Sequence, residues 1–269
     1  MQKAPKEVSA HSWAVLGQGA LIAELQSRYG VTLDYEAILE RNYRRYLQAG
    51  DFVADVGAHS GRHTRCFLEA IGQHGRLAAF EPLEYFCTKL SAEMANSPNV
   101  SVYNVALSKD AGRATFFAAL GTPEESGLQK KDYIYPDRAN VIEIEVIVDR
   151  LDHLLGDWNR LDYLKLDIEG AELDCLDGGS QTVRRTRPLI SFECGIGGYG
   201  KYGKTSQDFM RFALEEGYEI FDLFGNDLMT DGIFYSIVDR AGLWDFYFVP
   251  KEKKDRFTAA IYQHALCPL

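Results

Sequence analysis

The chain has 269 residues, enough for one large α/β domain with an appendage or at most two small domains, and its 46% hydrophobic and 25% charged content exclude a disordered chain. A formal net charge of −10 argues against a surface that tracks nucleic-acid phosphates. Five scattered cysteines (Cys66, Cys87, Cys175, Cys194 and Cys267) show no CxxC or zinc spacing and read as reduced core residues, while the lack of an apolar leader or of a run near about 18 apolar residues reads as a cytoplasmic protein with no membrane span.

Residues 1–49 predict a helical extension: Ala20, Leu21, Leu25 and then Tyr35, Ile38, Leu39, Tyr43, Tyr46 and Leu47 recur at helical spacing, with Gly30 as a stop. This extension is expected to pack on the main domain or to join a partner subunit in a homo-oligomer. From residue 50 to 269 a Rossmann-like domain is expected. A buried strand in DFVADVGAHSG is followed by a helix over Arg62–Gly72, the strand LAAFEP, a helix over Leu83–Ala95 and a strand over Val100–Ala106. Such alternation implies a parallel sheet with right-handed crossovers. The rhythm then breaks into two alternating strands, RATFFAAL and VIEIEVIVDRL, joined by a polar loop over 121–140; the whole insertion spans about 119–140. A loop of that length is usually functional or disordered. DYLKLDIEG, a helix over Ala171–Arg185, LISFECG, a helix over Ser206–Glu216 and the runs YEIFDLF and WDFYFVP complete the chain.

The turn after the first strand carries chemistry. Gly57 and Gly61 bracket it, Gly57 permits a backbone conformation that other residues resist, and the N–H groups opening the next helix face whatever sits above the strand. Glu81 follows Asp55 by 26 residues and ends the second apolar run, placed to accept hydrogen bonds from both hydroxyls of a ribose. Together these predict a nucleoside-containing cofactor. A dinucleotide-dependent oxidoreductase fits less well, because GAHSG lacks the GxGxxG spacing. A rival motif, GYGKYGKT over Gly198–Thr205, matches the P-loop pattern GxxxxGK[ST] between a strand and a helix. On that reading Lys204 reaches phosphates, Thr205 holds magnesium and the chain is a kinase or NTPase. A P-loop normally opens its domain, and only 64 residues follow Thr205, which favours a flexible acceptor-binding loop instead.

KLDIEGAELD offers Asp167, Glu169, Glu172 and Asp174. The last two are explained by the helix dipole, which favours acids at a helix start. Asp167 is not, since the C-terminal end of a strand is where such sheets bind ligands. His59 and His63 read as a turn residue and a solvated helix residue, and Arg184, Arg185 and Arg187 as charges favoured at a helix C-terminus.

VADVGAHSG, AAFEP, NVALS, DYLKLDIEGAELDCLDGG and PLISFECG, in this order and spacing, resemble the FkbM-type S-adenosylmethionine-dependent methyltransferases over about residues 50–250. The resemblance implies the class I methyltransferase fold: a seven-stranded, Rossmann-like, mostly parallel sheet with an antiparallel last strand and helices on both faces. It implies O-methylation of a hydroxyl on a sugar, glycan or related natural product, with S-adenosyl-L-methionine as cofactor and a small-molecule or glycan acceptor as partner. By position it implies a cofactor site of Asp55, Gly57, Ala58, His59, Gly61, Glu81, Pro82, Asn104, Ala106 and Asp167, with Asn104 and Ala106 bordering the adenine. His59 stands where the family commonly has Asn.

For the acceptor proton, Asp167 is the first choice and Glu193, at the end of the fifth strand, the second, with Glu169 beside them. Asp167 and Glu193 either share a proton or bind a divalent metal; so few candidate ligands, with Cys194 a poor partner for a hard cation, favour the metal-free route. The loops 121–140 and 195–204 are expected to form the acceptor walls, with Tyr133, Tyr135, Tyr199 and Tyr202 stacking on sugar faces. A cofactor-binding module without catalysis is the remaining alternative.

Overall fold

A computed structural model describes residues 33–230, 232–238 and 243–262, together with residues 15, 24 and 27–30. Ala20, Leu21, Leu25 and Cys267 lie outside the described residues. The strands are β1 (Phe52–Val56), β2 (Arg76–Phe80), β3 (Val100–Tyr103), β4 (Ala106–Leu107), β5 (Gly112–Ala119), β6 (Val141–Asp149), β7 (Tyr163–Leu166), β8 (Leu189–Glu193), β9 (Tyr218–Asp222) and β10 (Asp245–Pro250). The helices used below are α1 (Tyr35–Tyr46), α2 (Arg62–Ile71), α3 (Glu84–Glu93), α4 (Pro136–Ala139), α5 (Leu151–Leu154), α6 (Glu172–Gly178), α7 (Ser180–Thr186), α8 (Ile196–Tyr199), α9 (Ser206–Glu216), α10 (Ile233–Val238) and α11 (Lys254–Tyr262).

Seven strands form one sheet in the order β3-β2-β1-β7-β8-β10-β9. The first five are mutually parallel, and β10 runs antiparallel to both β8 and β9. The mostly parallel sheet with a reversed last strand is therefore the architecture the resemblance implied. Side chains alternate between its faces. Ala54, Val56, Phe80, Leu164, Phe192 and Phe248 enter one buried cluster, while Val53, Leu77, Tyr163, Tyr247 and Val249 enter another with Tyr43 and Phe67. Burial on both faces explains why these strands read as continuous apolar runs.

One polar row crosses the second face. Asp55, Lys165, Ser191 and Tyr247 are register neighbours on β1, β7, β8 and β10. Two residues further toward the ligand-binding edge the same face carries Asp167, Glu193 and Asp245, the last two paired in register. A period of two thus gathers three carboxyls from distant parts of the chain.

Several boundaries differ from those expected. The strand Val100–Ala106 is two: the chain leaves the main sheet after Tyr103, and Ala106–Leu107 pairs with β6 in a separate three-stranded sheet, β4-β6-β5. The helix over Ala171–Arg185 breaks at Gly179, whose φ of −109° and ψ of 10° are not helical. A Cβ at Gly178 would lie 2.1 Å from the Ser108 carbonyl oxygen, so close packing against the chain after β4 demands glycine there. The 121–140 segment is ordered: a 3₁₀ turn over Pro123–Glu125, an antiparallel bridge from Gly127 to Phe117 and the short α4.

Helix α1 is capped by Asp34, which accepts a bond from the Ala37 N–H at 2.9 Å, and it buries Leu39, Asn42, Tyr43 and Tyr46. Asn42 donates to the Leu223 carbonyl at 2.7 Å, and Arg256 to that of Tyr46 at 2.9 Å. The partner helix α11 is unanticipated, because its charged start KEKKDR hides the one residue that anchors it. Phe257 is buried between Phe221 and Tyr247, with ring centroids 5.1 Å from each. Among the described residues no helix is long and apolar enough to cross a membrane.

Candidate active site

A cavity of about 410 Å³ opens over the C-terminal ends of β1, β2, β7 and β8, where open α/β sheets bind ligands. Its floor on one side is the turn after β1. Gly57 has φ +82°, and a Cβ there would lie 1.9 Å from the Asp167 carbonyl oxygen. The N–H groups of Gly57 and Ala58 both donate to the Phe80 carbonyl at 3.0 Å, which ties the turn to β2. His59 follows in the left-handed region at φ 47°, rare for a side chain of its size, and its N–H donates to Glu81 Oε2 at 2.7 Å. The Leu83 N–H bonds the other carboxylate oxygen at 2.8 Å. Glu81 is thereby aimed by two backbone donors. Burial nonetheless pushes its pKa up to about 7, against the lowering effect of those two bonds.

His59 packs on Phe86, with centroids 4.1 Å apart, and its buried Nε2 has no partner among the described residues. Burial also lowers its pKa, so the ring is neutral at pH 7. A buried, unsatisfied ring nitrogen facing a cavity is a place where a ligand's polar group would be bound.

Of the ten expected cofactor residues, Gly57, Ala58, His59, Glu81, Pro82, Ala106 and Asp167 line this cavity, and three do not. Asp55 lies behind the turn, fully buried, and accepts a 2.6 Å bond from Thr64 that holds α2 against β1. Gly61 is the left-handed residue opening α2, at φ 83°, and faces Leu90. Asn104 donates to the carbonyls of Glu81 and Pro82, each at 2.9 Å, and so fixes the β2 end from outside.

The other side of the cavity is the carboxyl row. Lys165, only 3% exposed, reaches Asp167 Oδ2 at 2.8 Å. Burial would raise Asp167, but the Lys165 ammonium outweighs it and holds this carboxyl below the ordinary range. Asp167 also shares a hydrogen bond with Glu193. Burial, reinforced by Glu169 and Asp167, pushes Glu193 well above the carboxylate range, so Glu193 carries the proton of that pair. Asp245 is likewise raised by burial, to about 7. Glu169, left-handed at φ 59°, pairs with Lys131 from the inserted segment, and burial raises it to about 7. Asp167, the first-choice base, is therefore the most firmly ionised acid of the row, and the raised pKa falls on its neighbour.

Glu172 accepts bonds from the backbone N–H groups of Ile168 and Gly170 at 3.1 and 3.2 Å, and Asp174 pairs with Lys204 at 3.0 Å, so both are structural. That pairing also removes the basis for the P-loop reading. Lys204 is held by acids, and Thr205 caps α9 in a reciprocal box with Asp208. The stretch before them folds into α8 and a 3₁₀ turn rather than a phosphate cradle.

The acceptor walls are corrected in the same way. Pro123, Glu124, Ser126 and Leu128 of the inserted segment line the cavity, but no residue of 195–204 does. Tyr199 is a core residue packed on Phe209, with centroids 5.6 Å apart, and Tyr133, Tyr135 and Tyr202 lie outside the lining. The aromatic at the rim is Trp244, half exposed, just before β10. His63 is not solvated: it is buried, with Tyr43 and Glu36 on its two ring nitrogens. Lys165 was legible as the lone charge in the apolar strand YLKL, two residues and hence one face from Asp167. Nothing in the sequence pointed to Glu36 or Asp245.

Two curated relatives are similar in sequence to part of this chain. The AMB antimetabolite synthetase AmbE of Pseudomonas aeruginosa is 27% identical over 195 residues, 60% of this chain and 8% of that protein. The 2-O-methyltransferase NoeI of Sinorhizobium fredii is 25% identical over 148 residues, half of this chain and 60% of that protein. The chain thus spans less than two thirds of either relative. Among solved structures, the methyltransferase FkbM of Methylobacillus flagellatus KT superposes with a TM-score of 0.46 at 15% identity, covering 90% of this chain and 63% of that one. Residues 55–220 match the Methyltransferase FkbM domain, which is more than half of the sequence and begins at the strand whose glycine turn floors the cavity, and the chain therefore belongs to the FkbM methyltransferase family.

Proposed function

We propose that the protein transfers the methyl group of S-adenosylmethionine to a hydroxyl of a sugar-like acceptor. The observation that carries this reading is the Gly57 turn facing a buried, backbone-aimed Glu81, with the unsatisfied His59 Nε2 beside them. The cofactor would supply an electrophilic methyl on a sulfonium. Glu81 would hold its ribose, Gly57 and Ala58 would let the backbone approach, and His59 would take a polar group. The relative NoeI, a 2-O-methyltransferase, supports a hydroxyl acceptor. The remaining task is to align that hydroxyl and receive its proton. The Asp167–Glu193 pair holds one proton and one charge, so it has room for one more proton; the resting charge is on Asp167, beside Lys165, and is neutralised when that proton arrives.

The reading is tested by incubating the protein with methyl-labelled S-adenosylmethionine and a panel of neutral methyl hexosides and 6-deoxyhexosides, with NMR of the product. A methyl ether is expected. Label carried only to nitrogen or carbon, or no transfer despite cofactor binding, would overturn the hydroxyl acceptor.

The cofactor half has its own test. Glu81 must be ionised to accept two hydroxyls, and its pKa is about 7, so affinity for S-adenosylmethionine is expected to rise as pH increases through 7 and then level off. Glu81→Gln removes charge-assisted bonds of about 1.5 to 3 kcal/mol, roughly ten- to a hundredfold in affinity, and flattens that pH dependence. Calorimetry giving the same affinity and slope in a folded Glu81→Gln protein would remove Glu81 from the site.

A further inference from the structure

The far side of the cavity is completed by a helix that precedes the FkbM domain. Glu36, in the first turn of α1, lines the cavity with its side chain 41% exposed, although the family match starts only at residue 55. Its Oε2 meets His63 Nε2 at 2.5 Å, and His63 Nδ1 meets the Tyr43 hydroxyl at 3.0 Å. Tyr43 is fully buried, and burial raises its pKa, so its hydroxyl keeps its hydrogen. The Glu36 carboxylate can only accept, so the imidazole hydrogen sits on Nε2 and is donated to it, and in that tautomer Nδ1 accepts from the Tyr43 hydroxyl, so each member of the chain fixes the next. The hydrogen bond from His63 also holds the Glu36 carboxyl below its usual range, against burial, so this acid is ionised at neutral pH. Among the described residues Glu36 Oε1 has no hydrogen-bond partner.

The base of this chain cannot drift. Tyr43 packs on Phe67 with ring centroids 4.3 Å apart, and α1 is tied down by the Asn42 and Arg256 bonds to backbone carbonyls. Glu36 stands on the β7 and β10 side of the crevice, where it interacts electrostatically with Lys165, Asp167 and Asp245 as well as with His63. The ribose-holding Glu81 ends β2, on the other side of β1. A carboxylate kept ionised, aimed by a buried relay and open at one oxygen is built to accept a hydrogen bond from something that enters beside the carboxyl row.

We infer that Glu36 binds a hydroxyl of the acceptor and that His63 and Tyr43 are its positioning residues, so that a helix outside the family domain takes part in choosing the substrate. This rests on the sugar-hydroxyl reading above. The acceptor class it implies is a neutral polyol offering one hydroxyl to the Asp167–Glu193 pair and a second to Glu36; an anionic group would enter a cavity whose lining carries seven carboxyl side chains against the two basic ones of Arg62 and Lys165.

The test uses the full chain, S-adenosylmethionine and the methyl hexoside or 6-deoxyhexoside that the wild-type protein methylates best. Glu36→Gln is expected to raise KM for that glycoside at least tenfold, to change kcat by less than threefold and to leave S-adenosylhomocysteine affinity and Tm unchanged. Tyr43→Phe, which deletes only the far end of the chain, is expected to give a smaller rise in the same KM, and Glu36→Asp to restore part of the loss. An unchanged KM in folded Glu36→Gln, or a loss confined to kcat or to cofactor affinity, overturns the inference while leaving the enzyme reading intact. Failure of the wild-type protein to methylate any glycoside of the panel overturns the acceptor reading and this inference with it.

Discussion

Asp167→Asn is expected to cut turnover by roughly 10² or more, in line with loss of a positioned proton acceptor, while cofactor affinity changes little and a chelator has no effect. The same substitution is expected to destabilise the fold, because it removes the negative charge 2.8 Å from the ammonium of Lys165, which is 3% exposed. Breaking a buried pair from one side costs about 3 to 5 kcal/mol. The lower end applies here, since the Asp167 side chain is 39% exposed and Asp55 remains as a second negative neighbour of Lys165.

The two effects separate in Lys165→Met. That change removes the cation and its desolvation together, so stability should suffer less, while Asp167 loses the charge that depresses it. Its pKa then rises, and the acid limb of the pH–rate profile should move to higher pH. A profile that does not move in Lys165→Met, with full turnover in Asp167→Asn, would take this pair out of the mechanism. Activity abolished by chelator and restored by Mg²⁺ would instead give the carboxyl row to a metal.

Gly57→Ala is expected to be among the most damaging single-methyl additions in the molecule. Two costs combine. An L residue at φ +82° resists the left-handed region by roughly 1 to 2 kcal/mol, and the new Cβ would lie 1.9 Å from the Asp167 carbonyl oxygen, which no rotamer change relieves. The ends of β1 and β7 must part, although the Asp167 N–H is bonded to the Val56 carbonyl at 3.1 Å. A total of about 3 kcal/mol or more follows, or a Tm loss near 10 °C at roughly 2 to 4 °C per kcal/mol. Gly203→Ala isolates the first cost: φ is +68° there, but nothing lies within 4 Å of the added carbon. It should lose about 1 kcal/mol and bind cofactor normally, whereas Gly57→Ala should lose S-adenosylmethionine binding as well. Equal Tm losses in the two variants would show that the close approach of Asp167 is not what requires glycine at 57.

The parts of this protein that its sequence determined are those set by neighbours along the chain. Apolar runs broken by glycine turns announced the parallel strands. Gly57 and Glu81 announced two edges of the cavity, because a tight turn and a strand-end acid are each local features. Where a local pattern was compatible with two structures, spacing by itself did not choose: GYGKYGKT has P-loop spacing, but Asp174 and Asp208, brought up by α6 and α9, bind its lysine and cap the helix at its threonine.

Tertiary structure alone decided the charge state of the site. Whether Asp167 or Glu193 carries the proton depends on Lys165 lying beneath one of them, and on the register that sets Asp167, Glu193 and Asp245 side by side across three strands. The part of the cavity lined by α1 was equally hidden. Glu36 faces the cavity because α1 is packed against α2 and α11 and hydrogen-bonded through His63 to Tyr43, contacts between residues 20 and more apart in the chain, which no periodicity records. Spacing fixes which face a residue shares, but electrostatics fall off with distance in space, and only the folded chain says which charges are close enough to feel one another.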